Sequence, residues 1–369
     1  MQPAHKSTAE NFRRRLARLR KFLFEQPVEA LLVTHPPNIF YLSGFTGSSG
    51  VLLVEGSRAT LFTDNRYTVQ ARDEVFPGVR VEITGKPGLS AAGARLASLR
   101  GRVRAGFAPE QLTVGQRAMV SHAAGKQVRW KPVVAAVESL RGVKDCNEIA
   151  VMREAAILAG TVWESVLELV KPGVTEIALA AEIEYGMRKG GATGAAFDTI
   201  VASGWRAALP HGRASAKPLE KNELVVFDLG AILRGYCSDI TRTVYLGRAP
   251  RQVKDWYGAV REAQEAARAV VMPGVTAGEV DAAARGVLER RRLGKKFTHS
   301  TGHGLGIEVH EAPRVGRGDG TRLVDGNVIT IEPGIYMEGT GGIRIEDDVW
   351  VRAGGAETLS QARRELLEL

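Results

Sequence analysis

The chain has 369 residues, more than the roughly 250 to 300 that one hydrophobic core supports, so two domains are expected. No run approaches the ~20 apolar residues of a membrane span, and Met1 to Glu10 lacks the apolar core of a signal peptide, so a cytoplasmic location with no membrane partner is the expectation. The net charge of +9 raises nucleic acid as a partner, but the densest basic cluster, Arg13 to Lys21, lies on a helical pattern with Phe12, Leu16, Leu19 and Leu23 on one face, so its charges read as a solvated surface and no nucleic-acid partner is expected.

Residues 1–140 read as a small α/β domain. After the first helix come a strand at Ala30 to Thr34, the Gly/Ser-rich stretch GFTGSSG, and two strands at Val51 to Val54 and Ala59 to Phe62. A helix is expected from Tyr67, and the alternation continues through Val79 to Ile83, Ala91 to Leu99 and Val103 to Gly106. This part holds no cluster of His, Cys and carboxylates, which predicts scaffolding, oligomerisation or covering of a site elsewhere. Val133 to Asp145 reads as the linker into a second domain, residues 141–369. Cys146 and Cys237 lack the paired spacing of a zinc or redox motif and are expected as reduced thiols.

The second domain carries an internal repeat. VKPGVT at 170–175 returns as VMPGVT at 271–276, each after a long helical pattern (Glu148 to Leu169, Val253 to Val270) and each before another helix (Glu176 to Lys189, Ala277 to Arg292). Pro-Gly breaks the helix, and the Thr is placed to cap the next one. Each copy then leads to a hairpin that carries acids, Asp228 and Asp239 in Leu224 to Leu246, Glu332 and Glu346 in the later stretch. Such a duplicated helix-helix-hairpin unit, related by a pseudo-two-fold axis, would close an antiparallel sheet and aim both acid pairs into one cleft.

Asp228 alternates with Leu224 and Val226 on one strand face, where an unpaired carboxylate is costly, so a cation is expected beside it. An ion pair with Arg242 or Arg234 satisfies that demand as well as a metal does when the hairpin is taken alone. Four carboxylates at one point repel one another strongly in a low dielectric, and two divalent cations relieve this better than arginines. Oxygen ligands with few nitrogens suit Mn, Co, Fe or Zn. A nitrogen donor is available in THSTGHGLGIEVHE, which holds His299, His303 and His310, three of the seven histidines. Gly302, Gly304 and Gly306 oppose a helix there, so a strand or extended loop is expected. His211, in ALPHGRAS, is a further candidate beside its structural reading.

FDTIVASG, ALPHG, VVFDLG, CSDITRT, HSTGHGLGIEVHEAP, TIEPGIY and GIRIEDD together resemble the pita-bread metallopeptidases, which include Xaa-Pro aminopeptidases, prolidases, methionine aminopeptidases and creatinases. The resemblance covers the whole chain and implies an α/β (α+β) fold, a creatinase-like N-terminal domain followed by a pita-bread catalytic domain. It implies two divalent metal ions, Mn foremost with Co, Zn or Fe as alternatives, on Asp228, Asp239, His303, Glu332 and Glu346, with Asp239 and Glu346 bridging. It further implies a hydroxide between the metals as nucleophile, Glu332 as ligand and proton shuttle, His211 and His310 as donors to the carbonyl, and His299 and Arg344 in support of the site. GFTGSSG and TDNRY are similar to the Xaa-Pro aminopeptidase branch, so the expected substrates are peptides with proline in second position, cut by a homodimer. A prolidase acting on Xaa-Pro dipeptides is the alternative, with Arg66 or another arginine gripping the free carboxylate. A creatinase-like amidinohydrolase and a non-hydrolytic binding protein share the fold and stay as further alternatives.

Overall fold

A computed structural model describes residues 8–369, so the polar stretch from Met1 to Ser7 lies outside the described residues. The chain divides into two compact units, the first ending at Arg141 and the second running from Gly142 to Leu369.

In the first unit, the helix Ala9–Glu25 buries Phe12, Leu16, Leu19 and Leu23 and starts at a capping box on Thr8. A six-stranded sheet forms the centre, in the order Arg80–Ile83, Arg58–Thr63, Val51–Glu55, Ala30–Val33, Val103–Phe107, Val128–Pro132. The Val51 and Arg58 strands form an antiparallel hairpin, while the outer strands join in parallel through helical crossovers. The helix expected from Tyr67 runs Thr68–Glu74, after a 3-10 turn. Two helices, Pro36–Ser43 and Val114–Ala124, and the strand Val128–Pro132 carry no clear period in the sequence. The stretch from Val133, read as a linker, belongs to this unit as far as Arg141: Val133, Ala136, Val137 and Leu140 are buried, Tyr41 donates to the Leu140 carbonyl, and Arg141 donates to Asn38.

The second unit shows the repeat in its backbone. Helices Cys146–Val166 and Glu176–Lys189 form one pair, Arg251–Val270 and Ala277–Arg290 the other. Thr175 and Thr276 cap the second helix of each pair through their hydroxyls. Gly173 donates to the Leu219 carbonyl and Gly274 to the Leu323 carbonyl, and Leu219 and Leu323 donate back to Val174 and Val275. The two PGVT turns are therefore held by the same hydrogen bonds in both copies.

Strand Glu223–Leu229 is apolar on both faces because it separates the two helix pairs. Val225, Phe227 and Leu229 pack with the first pair, Leu224 and Val226 with the second. It pairs antiparallel with Ile240–Leu246, Thr241 opposite Asp228. The single hairpin expected here is interrupted, because a smaller one, Ala231–Leu233 against Tyr236–Cys237, is inserted between its arms and turns at Arg234 and Gly235, both at positive φ. The second copy repeats the plan: Val328–Ile331 pairs with Asp347–Arg352, and Gly334–Met337 with Gly341–Arg344 lies between them. The ladders stay separate instead of closing into one sheet, and they meet where Glu346 N–H donates to the Thr241 carbonyl and Thr243 exchanges hydrogen bonds with the Arg344 backbone. Among the described residues no helix is long and apolar enough to cross a membrane.

Arg242 joins the copies. All five of its N–H groups are taken: Nε by the Arg363 carbonyl, Nη1 by the Thr241 and Glu346 carbonyls, Nη2 by Asp347 Oδ1 and the Ala362 carbonyl. Asp347 Oδ2 accepts from Gln264 and Arg364. Both side chains of the pair are essentially fully buried, 1% and 0% exposed. Replacing Arg242 by Met leaves a buried charge without its main partner and is expected to cost about 3–5 kcal/mol of stability. Urea unfolding measures this; a loss below ~1 kcal/mol would show that the network is dispensable.

Candidate metal centre

The acids stand where the ladders end. Asp228 is the last but one residue of its strand and Asp239 directly precedes the partner strand; Glu332 follows Val328–Ile331, and Glu346 precedes Asp347–Arg352. Strand ends free these side chains from the packed faces and turn them toward one point. His303 comes from the short strand Gly302–Gly304, as an extended segment and not a helix. A Cβ at Gly302 would stand 1.9 Å from the Thr330 carbonyl oxygen, and one at Gly304 2.2 Å from that of Ala312, so the flanking glycines let neighbouring backbone close in on both sides.

Ligand-type atoms of Asp239, His303 and Glu346 all lie within 4.8 Å of one another. His303 Nε2 is 3.7 Å from Asp239 Oδ2 and 3.5 Å from Glu332 Oε1. Its Nδ1 lies 3.0 Å from the Gly304 carbonyl oxygen, which can only accept, so Nδ1 carries the proton and Nε2 turns its lone pair to the acids. Burial holds this imidazole down to a pKa of about 4, and it is neutral near pH 7.

The carboxyls are strained in the opposite sense. Burial, followed by the charges of Glu346, Asp228, Asp348 and Glu332, pushes Asp239 well above the usual carboxylate range. Glu346 is raised likewise by burial and then by Glu332 and Asp228, and Glu332 is pushed up to about 7 by burial and Asp228 against the opposing pull of Arg344. Asp228 Oδ1, Asp239 Oδ1 and Glu346 Oε1 are buried with no hydrogen-bond partner among the described residues. The two arginines of the hairpin that carries Asp228 and Asp239 are engaged elsewhere, Arg242 with Asp347 and Arg234 with Glu154. Arg344 supplies one cation, its Nη2 2.6 Å from Asp228 Oδ2. Orphaned anionic oxygens beside a neutral imidazole lone pair are the donor set that divalent cations satisfy.

A chain of hydrogen bonds with fixed direction runs along one side. His299 Nδ1 donates to the Ser300 carbonyl at 2.8 Å, so its Nε2 accepts the Tyr336 hydroxyl at 2.8 Å, and that oxygen accepts Arg344 Nη1 at 2.8 Å. Arg344 Nε donates to Thr241 Oγ1, which donates to Glu346 Oε2 at 2.6 Å. Both nitrogens of His299 are thus spent inside the protein. Asp281, on the Ala277–Arg290 helix, anchors this segment from behind by accepting from Thr301 N–H and Oγ1. His211 and His310, by contrast, are exposed, with the His310 ring 4.4 Å from that of His303. One cavity of about 640 Å³ is lined by Asp228, Asp239, His303, Glu332, Glu346, His211, His299, His310 and Arg344, together with Arg213 and Arg314.

Residues 150–353 match Metallopeptidase family M24, and residues 15–143 match the Creatinase/Prolidase N-terminal domain. The chain belongs to family M24. It is 41% identical to the peptidase YqhT of Bacillus subtilis, over 96% of this chain and 100% of that one. Among solved structures, an Xaa-Pro dipeptidase from Bacillus anthracis superimposes with a TM-score of 0.93 at 38% identity, covering 97% of this chain and 100% of the other. The X-Pro aminopeptidase of Thermotoga maritima gives 0.88 at 36% identity, covering 95% and 100%. As an M24 chain this protein is a metallopeptidase with the pita-bread fold, a hydrolase whose family implies divalent metal ions.

Tyr336 and Thr241 went unassigned in the sequence although both lie in the quoted motifs TIEPGIY and CSDITRT, because a lone hydroxyl carries no spacing signal. Tyr336→Phe removes the donor to His299 and the acceptor for Arg344 and is expected to cost about 1–3 kcal/mol. An unfolding midpoint equal to the parent's would argue that the chain of hydrogen bonds is absent in solution.

Proposed function

We propose that this metallopeptidase hydrolyses the amide bond between an N-terminal residue and proline. Asp228, Asp239, His303, Glu332 and Glu346 would hold two divalent cations, with Mn first among the candidates ahead of Co, Zn and Fe. The observation that carries the reading is the convergence in one cavity of three buried carboxylate oxygens, without a hydrogen-bond partner among the described residues, with the neutral Nε2 of His303. When bound, the cations supply Lewis-acid polarisation of the scissile carbonyl and lower the pKa of water.

The chain's own groups do the rest. Glu332, whose carboxylate stands in the cavity beside His303, takes the proton from water and hands it to the leaving proline nitrogen. That transfer is required, since a secondary amine leaves poorly as an anion. His310 and His211, exposed in the cavity, donate hydrogen bonds to the carbonyl as negative charge develops on it. Arg344 holds Asp228, and Tyr336 and His299 hold Arg344.

Asp239→Asn is expected to lower bound metal and rate together, because it weakens a donor at the centre of the cluster. His310→Ala should lower the rate with the metal retained. Elemental analysis beside turnover of Ala-Pro tests both, and two variants with full metal and normal rates would dismantle the assignment.

The motifs in the first unit support the aminopeptidase reading, in which the cavity admits residues beyond proline. A dipeptidase reading is supported as well, by a name among the relatives and by one feature of the site. Arg314 is exposed on the cavity wall and donates Nε to Ser300 Oγ at 2.9 Å, which leaves its Nη groups suited to a free carboxylate. Arg66 pairs with Asp64. Comparison of kcat/KM for Ala-Pro and Ala-Pro-Ala, each with Arg314→Leu, separates the two. If Arg314 grips the carboxylate of proline, the parent prefers Ala-Pro by roughly tenfold and the variant loses that preference. Equal use of both peptides by the parent supports the aminopeptidase.

A further inference from the structure

The loop that carries His310 is held from within by a buried ion pair that the chemistry above leaves unused. Lys144 Nζ donates to Glu311 Oε2 at 3.1 Å, and the two side chains are 1% and 7% exposed. Glu311 Oε1 accepts two consecutive backbone N–H groups, those of Ile307 at 2.9 Å and Glu308 at 3.2 Å. Successive N–H groups converging on one anion form a nest, and here the anion is the protein's own. A Cβ at Gly306 would stand 2.6 Å from Glu311 Oε2, so the carboxylate fills the space which that glycine leaves. Cys237 N–H donates to the Gly306 carbonyl at 2.7 Å and fixes the loop from its other side, while Lys144 N–H donates to the Gly326 carbonyl at 2.8 Å.

Burying two charges is costly, and a turn made only to connect two strands needs no such pair. The residue adjoining Glu311 is His310. His310 stands with its ring 4.4 Å from the ring of His303 in an edge-on contact, at the wall of the cavity. A shift of the Glu311 carboxylate carries the His310 backbone with it, and misplacement by about 1 Å at a reacting centre can cost up to a hundredfold in rate.

We infer that Lys144 and Glu311 are positioning residues for His310, setting its ring over the site by clamping the loop from Gly306 to Glu311. The inference deepens the proposed function and rests on its assignment of His310 as a donor to the substrate carbonyl. The test is a double-mutant cycle on Mn-loaded, full-length protein with Ala-Pro, using Lys144→Met, His310→Ala and both together, with metal content measured in parallel. Lys144→Met is expected to lower kcat roughly tenfold to a hundredfold with KM and metal content little changed. The double variant should be no slower than His310→Ala alone, because a residue that acts through His310 has nothing left to lose. Effects that multiply, or a Lys144→Met variant with the parent's kcat, overturn the inference. If Lys144→Met does not fold, Glu311→Gln, which removes the carboxylate that Lys144 pairs with while keeping the side chain's shape, takes its place in the cycle with the same expected outcomes. A parent that binds metal but leaves Ala-Pro intact speaks against the proposed function instead. In that case the ring resonances of His310 and amide exchange at Ile307 and Glu308 decide: both should change in the Lys144 variant, and unchanged ring resonances sink the clamp.

Discussion

Mutual repulsion among buried carboxylates is the constraint around which the second unit is built. Asp228, Asp239, Glu332 and Glu346 share one cavity, and burial together with their neighbours' charges lifts Asp239, Glu332 and Glu346 above the carboxylate range. Packing alone would not keep such groups together; the protein surrounds them with restraints that act on backbone and side chain separately. Arg344 and Thr241 hold one oxygen each of Asp228 and Glu346, while the opposite oxygens have no hydrogen-bond partner among the described residues. A fully apolar surround would have expelled the charges, and a fully paired one would have left no oxygen for a cation.

Duplication gives this arrangement a simple origin in the chain. Each copy supplies two helices, a capped PGVT turn and a pair of strands whose ends release two acids, and strand Glu223–Leu229 lies between the two cores with one face given to each. The copies are then locked at their junction by Arg242, whose donors are all satisfied by the second copy, the C-terminal segment and its own strand. Acids that arrive from two copies at one point are fixed by four separate chain segments, which a single loop could not achieve with the same rigidity.

The histidines divide by what their ring nitrogens already do. His299 spends both on Ser300 and Tyr336, and His303 spends one on Gly304 and turns the other to the acids. His211 and His310 remain exposed to the cavity. The rings thus differ in what their hydrogen bonds leave over: none at His299, one lone pair turned to the acids at His303, and exposed rings at His211 and His310.

Local pattern in the sequence determined a good deal. The periodicity of Phe12, Leu16, Leu19 and Leu23, the strands expected at 30–34, 51–54 and 59–62, and the repeated PGVT turns with their Thr caps all follow from short-range preferences, and the structure has them there to within a residue at each strand end. The acids and histidines were legible because the repeat and the family motifs mark them. Helices Pro36–Ser43 and Val114–Ala124 were not, since one is apolar nearly all round and the other exposes Val114 and Met119, so neither shows a clean face. Nor could the sequence tell that Arg242 pairs with Asp347 and not with the acids of its own hairpin, that the hairpin is interrupted at Ala231, or that Lys144 reaches Glu311. Those choices join residues far apart in the chain, and the deciding quantity, which buried charge has a partner within hydrogen-bond reach, exists only once the chain is folded.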